Sequence, residues 1–153
     1  MVICQGAGWI GSVFVRKSLK DWYGELNKPD FIPPNWLFVP VWSALYFLMA
    51  IALFLVWQER KVKHIVTSLF AFFVQLLLNI WWPAMFFGRR CIEGGLAVSM
   101  TLLVSILVTM AHFFSIEPIA ALLLLPYATW VSFSTYFNYI LLQLNRVREE
   151  STS

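Results

Sequence analysis

The feature that most restricts this chain is where its charges fall. Eleven basic and eight acidic residues crowd into the connections and ends. They leave four stretches without a single Asp, Glu, Lys or Arg: Phe38 to Trp57, Ile65 to Phe87, Gly94 to Phe114 and Ile119 to Leu142. Each is about twenty residues or longer, and at about 1.5 Å of rise per residue a helix of that length crosses the roughly 30 Å hydrocarbon layer. Lipid offers backbone groups no hydrogen-bond partner, so an apolar run of this length crosses as a helix. With 60% of its residues apolar and 12% charged, the chain is excluded from the soluble globular class, where about a quarter of residues carry charge.

A fifth, shorter segment precedes these. Val2 to Val15 holds Gly6, Gly8 and Gly11 and lacks the basic start of a signal peptide. It reads as a first helix extended to about Leu19, with Arg16 and Lys17 snorkelling outward. The reading is therefore all-α: an integral membrane bundle of five transmembrane helices at about 2–19, 38–57, 65–87, 94–114 and 119–142, one domain spanning 1–153. Three of the connections are short, so the helices they join are antiparallel neighbours. The connection from about Ser18 to Asn35 is long.

Five crossings place Arg16, Lys17, Lys20, Lys28, Arg89, Arg90, Arg146 and Arg148 at one face, and Arg60, Lys61 and Lys63 at the other. The positive-inside rule then puts the long loop and the carboxyl terminus in the cytoplasm and the amino terminus outside. The same topology separates Cys4 from Cys91 by the membrane, well beyond the roughly 7 Å limit for a disulfide, so neither pairs within the chain. The formal net charge of +3 reports topology and implies no nucleic-acid partner.

Few residues inside the spans carry chemistry. Gln75 and Asn79 are four apart and share a helix face that Trp82 and Pro83 continue. Two readings stand: an interhelical hydrogen bond, and a ligand-facing pair. Pro40, Pro83 and Pro126 fall inside or at the end of spans, where each removes a backbone donor and favours a kink. By depth, Trp22, Tyr23, Phe31, Trp36, Trp42, Trp81, Trp82, Phe86, Phe87, Tyr136 and Tyr139 lie toward the long-loop face, while Trp57, Phe113 and Phe114 lie at the other. An interfacial belt populates both faces. The imbalance leaves two readings, core packing and an aromatic cavity suited to a flat, conjugated ligand with a polar edge.

The long loop, stiffened by Pro29, Pro33 and Pro34, is expected either to fold over the bundle mouth as a lid or to lie in the interface. His64 and His112 read as interfacial histidines, no metal ligand spacing occurs, and no Ser/His/Asp set or paired buried carboxylate is present.

The run Trp22-Tyr23-x-x-Leu26-x-Lys28-Pro29-x-Phe31-x-Pro33-Pro34-x-Trp36-x-Phe38-x-Pro40-Val41-Trp42-x-x-Leu45-Tyr46 closely resembles the signature of the TspO/translocator protein family, the tryptophan-rich sensory and peripheral-type benzodiazepine receptor proteins. So do Gln75-x-x-x-Asn79-x-x-Trp82-Pro83 with Phe86-Phe87-Gly88, and Leu125-Pro126-Tyr127-x-x-Trp130 with Asn138-Tyr139. The resemblance implies a five-helix bundle that usually dimerises, with a pocket beneath the loop between the first two helices. It also implies binding of porphyrins such as protoporphyrin IX and haem as ligands, with no required cofactor, and of benzodiazepine or isoquinoline carboxamide compounds. By motif position the implied ligand residues are Tyr23, Pro34, Trp42, Tyr46, Gln75, Asn79, Trp82, Trp130 and Asn138. Trp42 and Trp130 match tryptophans associated in some bacterial members with light-dependent porphyrin breakdown. The resemblance leaves a dimeric membrane scaffold or a sterol-binding translocator as further readings, and a bacterial envelope or mitochondrial outer membrane as the location. The sterol motif of animal members is not met, because Tyr139 has no Leu or Val at the required spacing before it and Arg146 lies one position too far beyond it.

Overall fold

The computed structural model describes residues 35–89 and 91–152; the first span and the long loop, with Tyr23 and Pro34, lie outside the described residues. The described chain forms α1 (Asn35–Gln58), α2 (Ile65–Pro83), a π-helical turn (Ala84–Gly88), α3 (Ile92–Phe114), a short α4 (Pro118–Leu123) and α5 (Leu125–Thr152). Among the described residues, four stretches are long and apolar enough to cross a membrane: Val39–Gln58, Ile65–Phe86, Ile92–Phe114 and Pro118–Val147. There is no strand among the described residues.

Two prolines shape the ends of these helices. Pro83 has no N–H to offer Asn79, and beyond it the helix widens into the π turn, closed by Arg89 N donating to Ala84 O at 3.1 Å. The span expected as one helix over 119–142 is two, parted at Leu124. Pro126 lacks the N–H that would reach the Leu122 carbonyl, and its ring crowds that carbonyl. Regular bonding resumes with Ala128 N donating to Leu124 O at 2.9 Å.

The other ends are capped. Cys91 Sγ accepts from Gly94 N at 3.2 Å to start α3, and Glu117 Oε1 accepts from Ile119 N at 3.2 Å to start α4, with Pro118 in its first turn. Cys91 is an exposed free thiol; Cys4 lies outside the described residues.

Helix α2 packs along α3, α3 along α4 and α5, and α1 chiefly against α4. Phe72 and Phe113 stack with ring centres 5.8 Å apart where α2 begins and α3 ends. Ala50, Ala52, Ala120, Ala121 and Ala128 are buried in the same core, so their backbones approach closely, as membrane helices require in the absence of a hydrophobic driving force between them. At the other end the π turn lies on the start of α3. A Cβ added to Gly95 would sit 2.7 Å from Phe86 Cδ2, so only glycine admits this approach. Ser99 and Thr135 join α3 to α5 through their hydroxyls at 2.5 Å, and Arg146 of α5 pairs with Glu93 at the start of α3. Large apolar side chains such as Val66, Phe70 and Leu77 on α2 and Val104 on α3 project outward. That pattern would expose oily patches in water and is the natural outer surface of a protein solvated by lipid.

Candidate functional site

The most concentrated polar chemistry in the described interior lies where α1, α2 and α5 converge. On α1, Trp42, Tyr46 and Met49 are spaced four and three residues apart and so share one face. On α2, Gln75, Asn79 and Trp82 repeat the pattern, and α5 contributes Tyr127 in its first turn. Tyr46 Oη donates to Asn79 Oδ1. Asn79 Nδ2 donates to Tyr127 Oη at 2.7 Å, and Tyr127 Oη donates to Gln75 Oε1 at 2.9 Å. Gln75 Nε2 ends the chain 3.9 Å from Met49 Sδ, a weak, polarisable acceptor. Tyr127 and Gln75 are each 1% exposed.

Of the two readings of Gln75 and Asn79, the interhelical hydrogen bond is present. Both amides are engaged between helices, and the chain of donors runs in one direction from Tyr46 to Met49. Net, each such bond contributes about 1 kcal/mol, but a buried amide stripped of its partner costs roughly 1–3 kcal/mol, so the set favours one mutual placement of three helices.

The aromatic rings are placed by that framework. Trp42 lies 5.8 Å from Tyr46 in a tilted contact and 6.4 Å from Tyr127 edge-on, so two hydrogen-bonded phenols support one indole. Trp82 stacks on Phe86 at 5.3 Å with the planes 12° apart. Trp130 is half-buried, packs against the core and meets Phe133 at 5.8 Å.

The structure brings Trp42, Tyr46, Gln75 and Asn79 together and leaves Asn138 apart. Asn138 is eleven positions beyond Tyr127 on α5, about 16 Å along the axis. There its Nδ2 donates to Ser134 O at 2.8 Å and its buried Oδ1 has no hydrogen-bond partner among the described residues. Trp81, Tyr136 and Tyr139, placed by depth with the one-sided aromatic set, point outward; Trp81 is 57% exposed. Depth gives the level of a side chain but not its direction: neighbours such as Trp81 and Trp82 are turned about 100° apart on a helix. Trp57 is exposed at the far end of α1, as an interface anchor is.

Sequence reasoning missed Tyr127 and Met49 as members of this set. Tyr127 was visible within Leu125-Pro126-Tyr127-x-x-Trp130, as a phenol that needs a partner in an apolar segment; nothing marked Met49. Among the described residues no three His, Cys, Asp or Glu side chains gather as a metal site would require.

The profile described as the TspO/MBR family matches residues 1–144. The chain belongs to the TspO/MBR family. It is 40% identical over 147 residues to the tryptophan-rich protein TspO of Chlorobaculum tepidum, covering 94% of this chain and 91% of the relative. Against the translocator protein of Homo sapiens it is 39% identical over 135 residues, 86% of this chain and 79% of that one. The tryptophan-rich sensory protein of Cereibacter sphaeroides is 35% identical over 131 residues, with 86% and 81% covered. Family membership and the four apolar crossings together make this an integral membrane protein of the TspO/MBR type.

Proposed function

We propose that this TspO/MBR protein binds porphyrins such as protoporphyrin IX and haem against an aromatic surface formed by Trp42, Trp82 and Trp130, acting as a sensor, scavenger or transporter. The observation that carries the reading is the placement of Trp42, an indole held against two phenols whose hydroxyls are tied into the Asn79 and Gln75 chain. A macrocycle gains most from flat, rigid apolar surface that is in place before it arrives, because little side-chain entropy is then lost on binding. Tyr23 and Pro34 of the long loop would complete the site as a lid. Gln75 and Asn79 act from behind the rings, and Asn138 supplies a separate acceptor toward the far end of α5.

The same surface accommodates benzodiazepine or isoquinoline carboxamide ligands, which are also flat and mostly apolar. The protein works as a homodimer in a bacterial envelope or mitochondrial outer membrane, with its carboxyl terminus in the cytoplasm. Titrating the detergent-solubilised full chain with protoporphyrin IX and following the porphyrin absorbance band tests the binding site. Saturable binding that weakens in Trp42→Ala and Trp130→Ala supports it, and unchanged titrations in both variants would sink it.

A second reading, light-dependent porphyrin breakdown, is favoured by one feature: Trp42 has two phenol rings within about 6 Å, close enough to share an electron vacancy with an oxidised indole. It needs no acid or base. Porphyrin decay that is faster in light with protein than with detergent alone, and slower in Trp42→Phe, supports it; equal decay with and without protein refutes it.

A further inference from the structure

The turn between α1 and α2 carries charge that the topology does not explain. In Gln58 to His64 three cations, Arg60, Lys61 and Lys63, accompany one anion, Glu59. All three cations are exposed, and none takes part in an ion pair among the described residues. At the opposite end, by contrast, Arg146 is neutralised by Glu93. Orientation signals do not account for the three, because the topology expected from the sequence sets most of the basic residues at the other face and these oppose them. Among the described residues the only other acid at this end, Glu117, has a carboxylate oxygen bonded to Ile119 N.

The turn is also too tight to lift its charges into bulk water. Arg60 N bonds Trp57 O at 3.2 Å, Val62 N bonds Glu59 O at 2.9 Å and Ile65 N bonds Val62 O at 3.2 Å, so each cation stays within a few residues of an apolar span. Exposed Trp57 and Val66 flank the turn on its two helices, and exposed Val62 sits between Lys61 and Lys63. Side chains so placed end among phospholipid headgroups.

We propose that Arg60, Lys61 and Lys63 form a binding surface for anionic glycerophospholipid headgroups in the leaflet that contacts the α1–α2 turn. The chemistry matched is a phosphodiester bearing net negative charge, which three cations at the headgroup level attract and a zwitterionic headgroup offsets with its own ammonium. The proposal is independent of what the interior binds.

The test uses the full chain reconstituted in phosphatidylcholine vesicles that hold traces of spin-labelled phosphatidylglycerol or phosphatidylcholine, with electron paramagnetic resonance measuring the motionally restricted fraction of each. A preference for phosphatidylglycerol of about fivefold is expected, the scale of one basic contact at an anionic surface. It should fall toward one in Arg60→Gln/Lys61→Gln/Lys63→Gln and by much less in Arg89→Gln. Lys61→Arg/Lys63→Arg should retain it. If the triple variant does not insert with native helicity, Lys61→Gln/Lys63→Gln is read the same way. Native preference in the charge-removing variants, or loss of preference in the arginine variant, overturns the proposal. Abolition of the preference by millimolar inorganic phosphate overturns the assignment to lipid in favour of a soluble anion.

Discussion

Tyr127→Phe isolates the role of the buried polar chain. The substitution keeps the ring, so packing against Trp42 is retained and no cavity of consequence opens. What it removes is one oxygen that accepts from Asn79 Nδ2 at 2.7 Å and donates to Gln75 Oε1 at 2.9 Å. Two buried amides then each lose a partner. In a water-soluble core that would cost roughly 2–6 kcal/mol, from about 1–3 kcal/mol per orphaned group. Within a membrane the reference is gentler, because separated helices find other partners and single interhelical bonds average about 0.6 kcal/mol with a maximum near 1.7. The expected loss is therefore about 1–3 kcal/mol. Reversible unfolding in mixed micelles of rising sodium dodecyl sulfate content, followed by circular dichroism, measures it. Tyr139→Phe is the control, since its hydroxyl accepts only an exposed bond from Gln143 at 3.2 Å and should cost less than about 0.5 kcal/mol. Combining Tyr127→Phe with Asn79→Leu should show coupling above about 0.5 kcal/mol, because the two mutations share one bond. Equal losses for Tyr127→Phe and Tyr139→Phe, or an additive double variant, would refute the claim that this chain holds α2 and α5 together.

Other expectations follow from close approaches and exposed contacts. Gly95→Ala puts a Cβ 2.7 Å from Phe86 Cδ2 and should destabilise by about 1–3 kcal/mol in the same micelle assay, whereas Ala97→Gly, at an exposed position two residues on, should cost only its helix propensity of roughly 1 kcal/mol. Glu93→Gln breaks the ion pair with Arg146, but both side chains are more than half exposed, so a loss below about 1 kcal/mol that shrinks with added salt is expected. Leu77→Ala, on an outward face, should leave unfolding within about 0.5 kcal/mol of native, while Leu76→Ala, one residue away and buried, should cost about 2–5 kcal/mol.

The crossings were legible in the sequence because the bilayer permits so little: a charge-free run of about twenty residues has few other uses, and the second to fifth expected spans each coincide with a stretch able to cross. The shared face of Gln75 and Asn79 was equally legible from their spacing. Their partners were not. Spacing relates residues on one helix, and which neighbour meets them depends on how α1 and α5 lean on α2, so Tyr127 had a visible need but no visible address. Pro126 announced an interruption without saying that α4 and α5 would part at Leu124. The π turn after Pro83 shifts the face of every later side chain, which brings Phe86 onto Gly95 where a regular helix would aim it elsewhere. For the one-sided aromatic set, the level in the membrane was legible, but the division into Trp42 and Trp82 inside and Trp81, Tyr136 and Tyr139 outside required the structure.

The central claim is that inward-held indoles, rather than tryptophan in general, bind a porphyrin. Protoporphyrin IX dissociation constants for Trp42→Ala and Trp81→Ala, measured side by side in the same detergent by tryptophan quenching, test it most directly. Loss of one well-packed aromatic contact is worth at least about 1.4 kcal/mol, or tenfold, so Trp42→Ala is expected to bind about tenfold or more weakly while Trp81→Ala stays within about twofold of native. Equal affinities for the two variants, or a larger loss in Trp81→Ala, would contradict it.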